Sequence, residues 1–315
     1  MPRSRSRSES GFRIGTGLFG LILIGIVCAI GVVLTVESMA SIRRFGWDFW
    51  RTDLWDPVAG EFGALPFIWG TLYSSVLALV IATPIALGIA IFISELSPAA
   101  LRQPLVFLTE LLAAIPSIVY GLWGIFVLVP AVRALESATP EVLRGTPLFA
   151  GPPLGLGMLS AGLVLAVMVV PFISSVSREV LKAVPVAQRE GAYALGATRF
   201  EAIRAVLFYA RTGIIGAIML GFGRALGETM AVTMVIGNDP RVSLSLFAPQ
   251  YTMAAVIANE FTEAADELYL SALVEIGLVL FVITLVVNTL SRVLLWSMNR
   301  SRRRVAVRKP AEATA

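Results

Sequence analysis

Histidine is absent from this chain of 315 residues, and its single cysteine, Cys28, lies in the middle of the first apolar run. These absences remove His/Cys metal sites, disulfides, and Ser-His-Asp and Cys-His catalysis together. Cys28 reads as a small apolar residue facing lipid or a neighbouring helix. Lysine occurs only at Lys182 and Lys309, and neither completes a G-x-x-x-x-G-K-[ST] phosphate loop. The residues imply no cofactor and no metal. Charge is scarce as well, with 15% of residues charged against 57% hydrophobic and a mean hydropathy of +0.82. A soluble domain of this size needs far more polar surface than that.

What is present in quantity is long apolar runs. Several reach the length needed to cross a hydrocarbon layer of about 30 Å at about 1.5 Å per helical residue. Apolar windows predict helices near 14–36, 66–94, 105–132, 155–176, 212–236 and 269–297. Unpaired backbone groups are costly in lipid, so the spans must be helical. The small-x-small stretch Ser38-Met39-Ala40 resembles a signal-peptide cleavage site, but the preceding run is too long for a signal h-region, and the reading keeps it as a span. Pro84 and Pro116 are expected kinks.

Orientation follows from the basic residues. A cytoplasmic N-terminus puts eighteen Lys and Arg residues on one side and six on the other, with Arg224 inside a span. That bias predicts both termini in the cytoplasm and an even helix count, which six helices satisfy. The Arg/Ser-rich start, Arg3 to Ser10, reads as a topogenic tail rather than a nucleic-acid-binding segment.

The segment 177–211 is too polar to enter the membrane. Residues 186–195 favour helix, with Pro185 suited to its start and Gly196 to its stop. Thr198 is positioned to cap a second short helix, Arg199 to Tyr209, with Glu201 as its reciprocal partner. A helix–glycine–helix of this kind serves either as a knob that docks in a partner's groove or as an amphipathic helix lying at the interface. The pattern leaves both open.

A second signal is GFGRALGETMAV, residues 221–232. Arg224 is expected near the middle of a span, where a charge costs at least about 2.5 kcal/mol unless it is paired or faces water. Glu228, four residues on, is expected on the same helix face. Gly221, Gly223 and Gly227 allow close approach of a helix or a solute. The pair reads as a structural ion pair or as part of an anion path, since the planar guanidinium fork can bond two oxyanion oxygens. Glu110, Glu275 and Asn288 are weaker intramembrane candidates, read as bundle or interfacial hydrogen-bond partners.

Glu190-Gly191-Ala192 followed by Gly196 resembles the EAA loop of bacterial ABC-importer permeases, with Gly191 where alanine is usual. That resemblance implies that Glu190, Gly191, Ala192 and Gly196 couple the chain to a separate ATPase. GRALGETMAV and Ile115-Pro-Ser-Ile-Val-Tyr-Gly121 closely resemble the PstC family of phosphate-importer permeases, over roughly residues 60–295. The family implies an all-α, six-helix type I (MetI-like) permease bundle in the bacterial cytoplasmic membrane, with Arg224 and Glu228 on the phosphate path. It also implies partners: a sister permease (PstA-like), ATPase subunits (PstB-like) and an external phosphate-binding protein (PstS-like). On that basis the chain divides into a basic tail at 1–13, a first helix with an external segment at 14–65, a permease core at 66–297 and a basic tail at 298–315. The external segments 37–65, 133–153 and 237–268 are the expected receptor for the binding protein, with twelve acidic residues against six basic ones.

An intramembrane aspartyl enzyme is disfavoured, because Asp48, Asp53, Asp56, Asp239 and Asp266 all fall in loops. The alternatives are a permease for another oxyanion, such as sulfate, molybdate or phosphonate, and an autonomous secondary transporter. Copurification with an ATPase separates the second from the reading above, and GRALGETMAV favours phosphate over the first.

Overall fold

The computed structural model describes residues 7–307, so the outermost parts of both basic tails lie outside the described residues. Among the described residues, six helices are long and apolar enough to cross a membrane: 15–37, 65–96, 117–138, 158–182, 199–226 and 267–298. In chain order the helices are α1 (Arg7–Glu37), α2 (Met39–Phe45), α3 (Leu65–Ile91), α4 (Ala99–Ala114), α5 (Ser117–Trp123), α6 (Val129–Ala138) and α7 (Glu141–Arg144). They continue as α8 (Met158–Lys182), α9 (Val186–Ala194), α10 (Arg199–Leu226), α11 (Met230–Thr233), α12 (Met253–Glu260) and α13 (Glu267–Val307). A π-helical turn, Phe92–Leu96, continues α3, and another, Gly124–Leu128, joins α5 to α6.

The bundle is built around α8, most of whose apolar window is buried, whereas none of that of α1 is. Leu18, Phe19, Leu21 and Leu23 of α1 lie bare in the single chain, whereas its other end meets α13, where a Cβ at Gly31 would fall 3.3 Å from Phe281 Cε1. Alanines at 78, 82, 86 and 90 recur every fourth residue of α3 and are all buried. One such row makes a smooth face against which Val164, Leu165 and Ile173 of α8 pack closely. Gly162 completes this contact: a Cβ there would meet the Leu77 side chain of α3.

At the end remote from α9, the chain folds into a cap not foreseen from the sequence. A two-stranded antiparallel hairpin pairs Trp55–Asp56 with Glu61–Phe62. Phe62 stacks on Tyr269, and Trp55 meets Phe67 edge to face. Glu260 accepts hydrogen bonds from Trp55 Nε1 at 2.9 Å and Tyr269 Oη at 2.6 Å. Burial pushes the Tyr251 hydroxyl well above the usual tyrosine range. The cap therefore has its own aromatic core, distinct from the alanine-faced core of the spans.

Two predicted spans are corrected. The third was expected over 105–132, but Pro116 divides it: α4 ends at Ala114, Ile115 is extended, and the crossing helix begins at Ser117. A residue preceding proline is driven out of the helical region, so the break falls there. Pro84, by contrast, is accommodated within a continuous α3. The fifth span was expected over 212–236 after a separate short helix at 199–209. Instead α10 runs unbroken from Arg199 to Leu226, since nothing between Thr198 and Gly227 interrupts it. Residues 227–236 form a turn and the short α11, with Ala231, Val232, Val235 and Ile236 buried in protein. Non-helical backbone at this depth is tolerated because protein covers it.

Candidate functional site

The predicted short helix and its glycine turn form as their residues dictate. Pro185 precedes α9, and Gly196, at φ +81°, supplies the left-handed turn after it. The Ala197 amide donates to the Ala192 carbonyl at 3.1 Å, closing the last turn. Thr198 and Glu201 make the reciprocal capping box that starts α10: the Thr198 amide donates to Glu201 Oε2 at 2.8 Å, and the Glu201 amide returns to Thr198 Oγ1 at 3.4 Å. Glu190 and Gly191 are exposed, Ala192 is half-buried, and a Cβ at Gly191 would meet open space. Leu195 and Phe200 stand out beside them, 91% and 74% exposed. Large apolar side chains this bare, clustered around a rigid turn, mark an interaction surface.

The second motif is placed differently from expectation. Arg224 lies in the last turn of α10, while Glu228 lies beyond the helix end, after Gly227. The two therefore do not share a helix face, and among the described residues Arg224 makes no ion pair with Glu228. Depth in the bundle is set by Gly221, which packs against Val169 and Ile173 at the middle of α8. Arg224, three residues on, thus sits near mid-depth with its side chain exposed in the single chain. The glycines do separate jobs: Gly221 meets α8, Gly223 lies near Asn288 of α13, and a Cβ at Gly227 would meet only the Gly223 carbonyl, at 3.9 Å.

The structure also joins two motifs that are about a hundred residues apart in sequence. Gly121 of α5 is buried against α11, where an added Cβ would fall 3.2 Å from Ala231 Cα. Tyr120 beside it donates to the Leu112 carbonyl at 2.7 Å. The stretch 115–121 and the stretch 221–232 are thus two walls of one place.

The weaker candidates divide as follows. Glu110 pairs with Arg178 at 3.4 Å, and Asn288 donates to its own helix at Thr284 O. Glu275 is buried beside a cavity of about 350 Å³ lined by Trp47 and Trp50. Sequence reading missed the ion pair between Arg189 and Glu95, at 2.8 Å, and the buried Glu136, which accepts from the Gly155 amide at 2.7 Å. Neither had a local signal, because the partners lie 94 and 19 residues apart.

Comparison with known proteins gives a family. A family model described as binding-protein-dependent transport system inner membrane component matches residues 82–304. The chain is 45% identical over 290 residues to the phosphate transport system permease protein PstC of Mesorhizobium japonicum, covering 90% of this chain and 89% of that one. It is 47% identical over 300 residues to the protein of the same description from Haemophilus influenzae, covering 93% and 95%. Its fold is similar to a chain of the MetNI methionine ABC transporter in an inward-facing conformation, with a TM-score of 0.53 at 16% identity, over 73% of this chain and 94% of that one. The six apolar helices and these relatives make it a multi-pass protein of the cytoplasmic membrane. The chain belongs to the family of binding-protein-dependent transport system inner membrane components and, within it, to the PstC permeases.

Proposed function

We propose that this chain is the permease subunit of an ATP-driven phosphate importer, with both termini in the cytoplasm and Arg224 and Glu228 on the anion's path. The observation that carries this reading is the exposure of Arg224 at mid-depth without a carboxylate partner among the described residues. A bare guanidinium is too costly to face hydrocarbon, so it faces a second subunit across a hydrated passage. Its planar fork suits an oxyanion. Glu228, placed by the turn at Gly227 rather than by the helix, supplies an acceptor for a proton that phosphate keeps near neutral pH and sulfate lacks.

The energy comes from a separate ATPase pair seated on α9, with Glu190, Gly191, Ala192 and Gly196 forming the seat. A sister permease closes the other side of the passage, and an external binding protein delivers phosphate to the acidic cap. ATP closes the ATPase pair, the grooves carry α9 with them, and the two permeases exchange outward-facing and inward-facing states. Phosphate passes Arg224 and leaves on reset.

The test is uptake of labelled phosphate at micromolar concentration in cells lacking the gene, complemented with wild type or Arg224→Met at matched membrane levels. Wild type is expected to restore uptake and Arg224→Met is not. Restoration of sulfate or molybdate uptake alone would keep the importer class and overturn the substrate.

A further inference from the structure

The peptide chain connects α9 to α8 through residues 183–185 and to α10 through 195–198, but it makes no such connection to α3. Side chains make it instead. Arg189 of α9 binds Glu95 with two hydrogen bonds, Nη2 to Oε1 at 2.8 Å and Nε to Oε2 at 3.3 Å. The same guanidinium donates to the carbonyls of Leu181 at 2.9 Å and Val184 at 2.8 Å, at the end of α8. Arg199, the first residue of α10, donates to the Glu95 backbone carbonyl at 2.8 Å. Glu95 is thus held twice, and the ends of α3, α8, α9 and α10 meet around it.

Glu95 sits in the π-helical turn Phe92–Leu96, closed by the Ser97 amide on the Phe92 carbonyl at 2.7 Å. A π turn holds one more residue than an α turn, is rare, and recurs where helices work. The Arg189 and Glu95 side chains are only 23% and 12% exposed, so solvent screens the pair less than it would a surface ion pair. Beyond this turn α3 runs to the alanine face that packs on α8.

We propose that the Arg189–Glu95 pair is the link that delivers motion of α9 to α3, so that α3 moves with α8 and α10 rather than lagging behind them. Both are positioning residues: neither touches the anion or the nucleotide. The inference rests on the importer reading above, because it assumes that α9 is driven by an ATPase.

The experiment uses the full complex in proteoliposomes with ATP, binding protein and labelled inorganic phosphate, reading hydrolysis and uptake together. Arg189→Gln and Glu95→Gln are each expected to lower the phosphate moved per ATP by at least about fivefold while hydrolysis continues. The exchange variant, Arg189→Glu with Glu95→Arg, is expected to recover part of the ratio. An unchanged ratio in both single variants overturns the link. So does a parallel fall of hydrolysis and uptake in assembled complexes, which would place Arg189 in ATPase docking. If the glutamine variants do not assemble, Arg189→Lys, which keeps the charge but not the two-bond geometry, is expected to give an intermediate ratio, and a wild-type ratio there overturns the proposal. A wild-type complex that hydrolyses ATP and moves sulfate but no phosphate sinks the substrate reading alone, and the same ratios are then read with labelled sulfate.

Discussion

The backbone of Gly221 in α10 lies against the Ile173 side chain of α8, so that a Cβ at position 221 would fall 2.6 Å from Ile173 Cγ1. Val169 closes the same gap at 3.0 Å. This contact fixes the depth of Arg224, one helical turn away. Gly221→Leu is therefore expected to force α10 off α8, at a cost of about 1–3 kcal/mol. A lower thermal unfolding midpoint in detergent checks it, and a wild-type midpoint would contradict the close packing.

The capping box at Thr198 starts α10 on the face that carries α9. Thr198→Ala removes one arm of it and frays the first turn. Hydrogen exchange of the amides at 199–202 is expected to quicken by roughly fivefold, with exchange in the middle of α10 unchanged.

Charge reversal at Glu190, exposed on α9, is expected to separate hydrolysis from transport. In the reconstituted complex, Glu190→Lys lowers uptake by roughly tenfold or more while the chain remains in the membrane. Normal coupled uptake would remove Glu190 from the ATPase seat.

Glu228→Gln keeps the shape of the side chain and removes its charge. A hydrogen bond involving a charged group contributes about 1.5–3 kcal/mol, so discrimination of phosphate against sulfate is expected to fall by roughly tenfold. Competition of unlabelled sulfate with labelled phosphate uptake reads it directly, and unchanged selectivity would assign Glu228 another role.

Local chemistry was legible where one residue type decides the backbone. Gly196 takes the left-handed turn, Thr198 and Glu201 close the box, and Pro185 precedes α9 as their positions foretold. Hydropathy placed six spans but could not divide an apolar run: residues 105–132 and 212–236 are each apolar enough to read as one span, though Pro116 and Gly227 end helices within them. Treating Arg224 and Glu228 as a same-face pair failed for that reason, because the rule of four holds only while the helix continues.

By itself, the sequence determined that this chain lives in a membrane, how often it crosses, and where the exposed α9 and its glycine turn lie. Those properties follow from apolar length, excluded charge, and glycine and cap residues acting within a few positions of themselves. Tertiary structure alone decided that Gly121 meets Ala231 and that Arg189 reaches Glu95. Such contacts join segments about a hundred residues apart. Their geometry is set by how the alanine face of α3 and the glycine of α10 let two helices close on α8, which no local pattern records.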